Sequence, residues 1–202
     1  KHGSMTNIEM ATTLVGGTGN DRLGGVYRLD KGTNATIAGG TAGFDTAVVD
    51  LTADAAAMSG GIGTGFIYNN TSGYFISLTD IDALEFVGNA DGTGYTTGIN
   101  AGSGNDILTG LGRNDTFIGG AGDDALTGNG GDDRLFGGLG ANTLDGGTGF
   151  DLGDADFSDQ TGNVVAINGG VAGTKYDFTV GGKAHGSVLD VERMIGLTGG
   201  TG

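Results

Sequence analysis

Residues 101–154 consist of six consecutive nine-residue units: AGSGNDILT, GLGRNDTFI, GGAGDDALT, GNGGDDRLF, GGLGANTLD and GGTGFDLGD. Glycine occupies positions 1 and 4 in five units each, and aspartate occupies position 6 in five, with Asn142 as the exception. Position 8 is Leu108, Phe117, Leu126, Leu135, Leu144 and then Gly153. Four positions that stay in phase over six units indicate a repeating structural unit.

The nine-residue period suits a short strand followed by a turn. Alternate residues of a strand point to opposite faces, so about three extended residues present one inward apolar side chain, at position 8. The other residues must reverse the chain, which favours glycine at positive φ with aspartate or asparagine beside it. Two units would complete one coil, and stacked coils would form two parallel sheets. The sequence therefore predicts an all-β fold, a right-handed parallel β-roll (β-solenoid) with position 8 between the sheets.

Stacked coils would bring together position-6 carboxylates that are 18 residues apart. The pairs are Asp106 with Asp124, Asp115 with Asp133, and Asp133 with Asp151. Such carboxylates repel each other unless a cation lies between them. Calcium accepts about six to eight carboxylate and carbonyl oxygens in flexible geometry, whereas magnesium needs a tighter octahedron. Zinc and copper favour His or Cys, and the chain has two histidines and no cysteine.

The composition excludes several other classes of protein. Glycine supplies 47 of 202 residues, aspartate outnumbers glutamate 21 to 3, and the net charge is −15. This charge makes nucleic acid and anionic membrane surfaces poor partners and favours cations. The absence of cysteine excludes disulfides, and no apolar run long enough to indicate a membrane span occurs. Lys1-His2-Gly3-Ser4 before Met5 resembles the end of an affinity tag.

The repeats resemble the RTX, or haemolysin-type calcium-binding, family, whose unit is G-G-x-G-x-D-x-U-x with U large and apolar. The match covers 101–154; GGTGNDRL at 16–23 is a further copy, and GGTAGFD at 39–45 is a copy with one inserted residue. The resemblance implies several bound Ca²⁺ ions and export by type I secretion machinery. It implies a location outside the cell or on the surface of a Gram-negative bacterium, where calcium would drive folding.

The family's ligand pattern carries over to the turns of this chain. One turn gives the carbonyls of positions 2 and 4 and its position-6 side chain, and the turn two units later gives the carbonyls of positions 1 and 3 and its own position-6 side chain. The implied sets are Gly102, Gly104, Asp106, Gly119, Ala121 and Asp124 (first); Leu111, Arg113, Asp115, Gly128, Gly130 and Asp133 (second); Gly120, Gly122, Asp124, Gly137, Leu139 and Asn142 (third); and Asn129, Gly131, Asp133, Gly146, Thr148 and Asp151 (fourth). In the N-terminal copies, Gly17, Gly19 and Asp21 are expected to face the turn that ends at Asp45.

Two positions depart from this pattern. Arg113 stands where glycine is expected, so it would be strained at positive φ, and its charge opposes a cation. Asn142 is neutral, which predicts weaker calcium binding by the third set. The first and fourth sets are therefore expected to bind best.

Two β inserts are expected outside the repeats. The segments 66–68, 74–78, 164–167 and 176–180 have the alternating pattern of strands, and we expect the inserts to cover the open ends of the roll. The predicted organisation is a tag remnant at 1–5, N-terminal partial repeats at 6–50, an insert at 51–91, the main calcium-binding roll at 92–154, and a C-terminal insert or cap at 155–202 that ends inside a further repeat.

Two functions of other classes stay open. The aromatic residues of 66–76 are expected to serve the core or the cap, and an adhesin- or polysaccharide-binding module on the RTX scaffold is the alternative. A lyase or epimerase would need basic residues around paired acids, but the nine Lys and Arg are scattered, and Lys175, Lys183 and His185 form the nearest approach to a group. Glu85 and Glu192 lie in similar segments, which favours a shared structural role over a hydrolytic pair. We therefore expect no enzymatic activity.

Overall fold

A computed structural model describes residues 13–27, 34–52, 58–62, 65–70, 72–88, 97–158, 164–167, 176–181 and 183–198. The tag remnant at 1–5 lies outside these ranges. The regular elements of the described residues are β-strands. In chain order they are β1 (Thr13–Val15), β2 (Arg22–Val26), β3 (Ala35–Ala38), β4 (Thr46–Asp50), β5 (Met58–Gly61), β6 (Phe66–Asn69), β7 (Phe75–Thr79), β8 (Ala83–Val87), β9 (Thr97–Ser103), β10 (Ile107–Thr109), β11 (Asp115–Ala121), β12 (Ala125–Gly130), β13 (Arg134–Leu139), β14 (Thr143–Thr148), β15 (Leu152–Asp156), β16 (Val164–Ile167), β17 (Tyr176–Val180), β18 (Lys183–Leu189) and β19 (Arg193–Thr198).

These strands form two sheets. One has the order β1-β3-β7-β6-β5-β9-β11-β13-β15-β19, and the other has the order β16-β17-β18-β14-β12-β10-β8-β4-β2. From β8 to β15, successive strands alternate between the sheets, as expected for one strand per nine-residue unit. Strands two units apart pair in parallel with an 18-residue register, for example Leu108 with Leu126 and Phe117 with Leu135. The predicted parallel β-roll is confirmed.

The core between the sheets is built from position 8. The five large side chains at this position are at most 1 % exposed: Leu108, Phe117, Leu126, Leu135 and Leu144. Phe117 meets Phe86 edge to face, with ring centroids 6.1 Å apart. In the sixth unit Gly153 has no side chain, and Met194 and Val191 fill its place, since an added Cβ would lie 3.0 Å from atoms of both. The repeat thus supplies a continuous apolar column that later residues complete.

The first insert differs from its expected position. Its strands β5, β6 and β7 pair antiparallel with each other, as the alternating pattern predicted. However, β7 also pairs in parallel with β3, and β5 pairs in parallel with β9. Because both outer strands find parallel partners, the insert lies within the ten-stranded sheet and joins the N-terminal repeats to the main roll instead of covering an open end.

The C-terminal insert does occupy an end of its sheet. Strands β16, β17 and β18 form an antiparallel meander, and β18 pairs in parallel with β14 of the last repeats. Phe178 of β17 is buried against Phe157, with ring centroids 5.1 Å apart. This insert therefore flanks the roll and extends its core past the repeats.

Glycine at position 1 leaves room for the position-6 side chain of the same unit. A Cβ added to Gly128 would lie 2.1 Å from Oδ2 of Asp133 and 2.6 Å from the carbonyl oxygen of Gly146. A Cβ added to Gly119 would lie 2.3 Å from Oδ2 of Asp124. Neither Gly119 nor Gly128 has positive φ. The carboxylate, and not an unusual backbone angle, therefore requires glycine here.

The substitution Gly128→Ala is expected to destabilise the protein by about 1–3 kcal/mol, because the new methyl group overlaps the Asp133 carboxylate. Gly130→Ala in the same turn is the matched control. Its Cβ would have no neighbour closer than 3.4 Å, so stability should be unchanged or rise by up to about 1 kcal/mol. Chemical denaturation in calcium measures both, and equal losses would contradict the steric explanation.

Candidate metal centres between the stacked turns

The position-6 side chains form two ladders along the turns of the roll. Asp106, Asp124 and Asn142 precede β10, β12 and β14, and we call them the first ladder. Asp115 begins β11, and Asp133 and Asp151 directly precede β13 and β15; these three are the second ladder. Within each ladder, a side-chain oxygen accepts the backbone N–H of the residue 18 positions earlier. The distances are 2.9 Å from Asp106 N to Asp124 Oδ1, 3.0 Å from Asp124 N to Asn142 Oδ1, 2.7 Å from Asp115 N to Asp133 Oδ1 and 2.8 Å from Asp133 N to Asp151 Oδ1. The expected stacking of these residues is confirmed.

The ladder aspartates are buried, with 0–2 % exposure. In four of them the second carboxylate oxygen, Oδ2, is buried and accepts no hydrogen bond: Asp106, Asp124, Asp133 and Asp151. Burial raises the pKa of Asp106 and of Asp133 to about 7 and that of Asp124 to about 6, and neighbouring carboxylates add to the rise. Buried charge of this kind is unfavourable unless a cation or proton neutralises it.

Backbone carbonyls face the same spaces between stacked turns. In the third set, Cβ atoms added to Gly138 and Gly140 would lie 2.0 Å and 2.1 Å from the carbonyl oxygens of Gly120 and Gly122. In return, the carbonyl oxygen of Gly137 would lie 2.7 Å from an added Cβ of Gly119, and that of Leu139 accepts the N–H of Gly122 at 3.1 Å. Carbonyls of positions 2 and 4 thus face the next turn, and carbonyls of positions 1 and 3 face back.

The first and fourth sets have the same arrangement. Added Cβ atoms on Gly120 and Gly122 would both lie 1.9 Å from carbonyl oxygens of the first set, those of Gly102 and Gly104. The Ala121 carbonyl accepts the N–H of Gly104 at 2.7 Å. In the fourth set, the carbonyl oxygens of Asn129 and Gly131 would lie 2.2 Å and 1.8 Å from added Cβ atoms of the next turn, and Thr148 accepts the N–H of Gly131 at 3.0 Å. These oxygen donors, with two position-6 side chains, suit a hard cation such as calcium.

The turn of the second set has a different backbone. Arg113 does not have positive φ, although the glycines at the other position-4 sites do, so the strain considered from sequence does not arise. Gly130 N donates to the Leu111 carbonyl at 3.1 Å. The Gly110 carbonyl accepts Nδ2 of Asn129 at 2.8 Å. Arg113 is only 6 % exposed, so its charge lies within the roll.

Both polar atoms of the Asn142 side-chain amide form hydrogen bonds. Its Oδ1 accepts the N–H of Asp124, and its Nδ2 donates to the Gly138 carbonyl at 3.0 Å. Asp124, by contrast, keeps a buried Oδ2 that accepts no hydrogen bond. The third set therefore has one carboxylate that needs a cation and one neutral side chain that does not.

The N-terminal copies have the geometry of the main repeats. Asp21 N donates to Asp45 Oδ1 at 2.8 Å, and Gly19 N donates to the Ala42 carbonyl at 2.7 Å. The Gly17 carbonyl oxygen would lie 2.2 Å from an added Cβ of Gly40. Thr18 bridges to Ala42, so Thr41 is the inserted residue and does not disturb the stacking.

A further set of bonds at position 5 was missed in the sequence. Here the side chain of the earlier turn accepts a backbone N–H from the turn 18 residues later. Asn105 Oδ1 accepts from Asp123 N, and Asn114 Oδ1 accepts from Asp132 N, both at 2.9 Å. Asp123 and Asp132 accept in the same way from Ala141 and Phe150. The signal was Asn or Asp at position 5 of the first four units. These bonds run opposite to those of position 6, so each pair of stacked turns is held in both directions.

The residues considered for catalysis lie apart. Glu85 forms an ion pair with Arg22 across the strands β2, β4 and β8, whereas Glu192 accepts the N–H of Asp151 at 2.7 Å. The shared structural role expected for the two glutamates is therefore wrong. The counterpart of Glu192 in the first half of the chain is Asp82, which accepts the N–H of Asp45 in the same way. His185 packs against Phe157 with ring centroids 5.7 Å apart.

The described residues have no side-chain-only metal cluster. They contain no group of three or more His, Cys, Asp or Glu side chains that converges on one point. The candidate centres above combine two position-6 side chains with carbonyls. In the same residues, no helix has the length and apolar character needed to cross a membrane.

The stability of the calcium-stripped roll is expected to fall as pH rises from about 4 to about 7. Ladder aspartates have folded-state pKa values of about 6 to 7, whereas an unfolded aspartate titrates near 3.8, so the folded state binds more protons in this range. Far-UV circular dichroism with thermal melting of metal-free protein measures the effect. A melting temperature that is higher at pH 8 than at pH 5 would contradict it, and Asp133→Asn should reduce the pH dependence.

Comparison with known proteins agrees with this geometry. The family model described as RTX calcium-binding nonapeptide repeat, in four copies, matches residues 10–25, 100–135 and 118–152. A search of curated proteins gives no match. RTX repeats bind calcium in a β-roll and are typical of secreted bacterial proteins. Residues 10–25 and 100–152 therefore match the RTX calcium-binding nonapeptide repeat, and the described repeats lie on a parallel β-roll.

Proposed function

We propose that this chain folds when it binds calcium outside the cell and thereby supports the secretion and stability of a larger secreted protein. The observation that carries the proposal is the buried Oδ2 of Asp106, Asp124, Asp133 and Asp151, which accepts no hydrogen bond. These carboxylates destabilise the metal-free fold at neutral pH because burial penalises their charge. A bound cation removes this penalty, so the free energy of calcium binding becomes free energy of folding.

The ligands that we propose are the four sets given by the family pattern. The first and fourth sets have two carboxylates each and carbonyls that face the space between turns. The third set has one carboxylate and the satisfied amide of Asn142. The second set receives the least support, because Arg113 is buried beside it and lacks the positive φ of the position-4 glycines. Gly17, Gly19, Asp21 and Asp45 support an N-terminal site of the same kind.

The coupling of folding to calcium suits export through a narrow channel. Where calcium is scarce, the charged ladders and the glycine-rich turns favour an unfolded chain, which type I secretion machinery could pass. Outside a Gram-negative cell, calcium in the millimolar range typical of weak extracellular modules would fill the sites. The domain boundaries, with the main calcium-binding roll at 92–154, and the absence of enzymatic activity belong to this proposal.

Titration of the metal-free protein with calcium is expected to give a cooperative gain of β signal in far-UV circular dichroism, with magnesium having little effect. Asp133→Asn should raise the calcium midpoint about tenfold or more, because it removes a buried ligand charge. Asp132→Asn removes the same charge one residue away, where the side chain is exposed and keeps its acceptor for Phe150 N. A fold that is indifferent to calcium, or equal shifts in both variants, would contradict the proposal.

A second candidate function is the binding of a polysaccharide or cell-surface glycan by the first insert. Phe66, Tyr68 and Phe75 are 37–42 % exposed on one face of β6 and β7. Their rings lie 5.7 Å and 6.3 Å apart and line an open cleft of about 400 Å³. Exposed aromatic rings, of which Tyr68 also has a hydroxyl group, suit the apolar faces of sugar rings.

If this second function is correct, the protein binds at least one glycan of a bacterial and host glycan array, and Phe75→Ala removes the signal. Phe44→Ala is the control, since Phe44 is 46 % exposed in the turn 39–45, outside the insert. Absence of binding by the parent protein, or equal loss in both variants, would exclude a glycan site at this cleft.

A further inference from the structure

The second ladder ends on a segment that is not a repeat. After Asp151 the next strand in the sheet is β19, which pairs in parallel with β15 from Leu152 with Arg193. Arg193 N donates to the Asp151 carbonyl at 3.1 Å, just as Leu152 N donates to the Asp133 carbonyl at 2.9 Å. The segment 189–192 therefore lies on the turn 146–151 where a further repeat turn would stack.

This segment reproduces two oxygen positions of a repeat turn. Glu192 Oε2 accepts the N–H of Asp151 at 2.7 Å, in the manner of a position-6 aspartate. The carbonyl oxygen of Asp190 would lie 2.0 Å from an added Cβ of Gly146, where regular turns place a position-1 carbonyl at 2.6–2.7 Å. Asp190 has φ of 47°, a left-handed angle that aspartate tolerates better than most residues.

The same substitution for a repeat turn occurs at a second place in the chain. Asp80 also has a left-handed φ, 52°, and its carbonyl oxygen would lie 1.8 Å from an added Cβ of Gly39. Two residues later, Asp82 Oδ2 accepts the N–H of Asp45 at 2.8 Å. The aliphatic residue between the acids, Ile81 or Val191, is buried in both segments. The same backbone angle, carbonyl position and side-chain hydrogen bond therefore occur in two separate segments, 80–82 and 190–192, each of which stacks on a repeat turn.

The turn 146–151, on which the segment 189–192 stacks, contains a buried carboxylate oxygen that has no hydrogen-bond partner. Asp151 is fully buried, and its Oδ2 accepts no hydrogen bond. Burial raises the pKa of Asp151, and the nearby carboxylate of Glu192 adds to the rise. Two neighbouring carboxylates and a carbonyl, with no nitrogen or sulfur donor among the residues named, are the ligands of a hard divalent cation.

We propose that Asp151, Glu192 and the Asp190 carbonyl, completed by the carbonyls of Gly147 and Gly149, form an additional calcium site. It rests on the proposed function, because it requires that the repeat turns bind calcium. It goes further because two of its five ligands, Glu192 and the Asp190 carbonyl, come from a segment outside the repeats. Calcium at this site holds β19 and the C-terminal insert to the roll, so the order of the C-terminal segment depends on the metal.

The test compares calcium stoichiometry of the full chain and of Glu192→Gln, measured by equilibrium dialysis with calcium alone. Glutamine keeps an acceptor for Asp151 N, and the variant is expected to bind one calcium fewer than the parent. Glu85→Gln removes the same charge from an exposed ion pair and should bind as many ions as the parent. Glu192→Asp, which restores the side chain of a regular turn, should also bind the parental number.

The outcomes separate this site from the proposed function. If the parent binds several calcium ions and Glu192→Gln binds the same number, the additional site is excluded while the repeat sites stand. If the parent binds no calcium, the proposed function itself fails. Circular dichroism at saturating calcium shows whether Glu192→Gln is folded. If it is not, Glu192→Ala decides: a folded Glu192→Ala protein that binds the parental number of ions overturns the proposal, and one that binds one ion fewer supports it.

Discussion

The hydrogen bond from a backbone N–H to the position-6 carboxylate of the next turn is the interaction on which the roll depends. Strand pairing fixes the sheets, but the turns need their own contact to remain in register over the 18-residue step. Oδ1 of Asp124 and of Asp133 makes this contact, and in doing so carries the whole carboxylate into the interior. The same residue therefore stabilises the stacking and introduces a buried charge. That conflict ties the stability of the fold to a cation or a proton.

The glycine pattern follows from this interaction and has two separate causes. At position 1 a side chain would overlap the carboxylate of its own unit, as at Gly128. At positions 2 and 4 a side chain would meet the carbonyl of the preceding stacked turn, and most of these residues also have positive φ, for example Gly122 at 133°. The turn therefore excludes side chains in order to bring carbonyl and carboxylate oxygens together. Arg113 at position 4 does not have positive φ, whereas Asn129 at position 2 keeps a φ of 71°.

The features that depend only on the period could be predicted from the sequence. Position 8 had to point inward and position 6 had to stack, because both follow from one strand per nine residues, and Leu126 and Asp124 lie as expected. The order of strands in the sheet could not be predicted, since β7 and β5 gain parallel partners only through long-range pairing. The backbone angle of Arg113 depends on its neighbours in the stack. The segment at Asp190 lacks the glycines of a repeat, so its resemblance to a turn is visible only in three dimensions.

The two ladders end differently, and the difference explains how the C-terminal insert joins the roll. The first ladder ends at Asn142, whose side-chain amide forms hydrogen bonds through both Oδ1 and Nδ2. The backbone carbonyl of Asn142 accepts the N–H of Ser187, where the contact with β18 begins. This neutral end of the ladder adds no position-6 carboxylate, and β18 pairs there with β14 by strand hydrogen bonds. The second ladder ends on the carboxylates of Asp151 and Glu192, whose repulsion opposes the docking of β19. The proposed additional cation therefore acts at the end of the second ladder, where it would offset this repulsion.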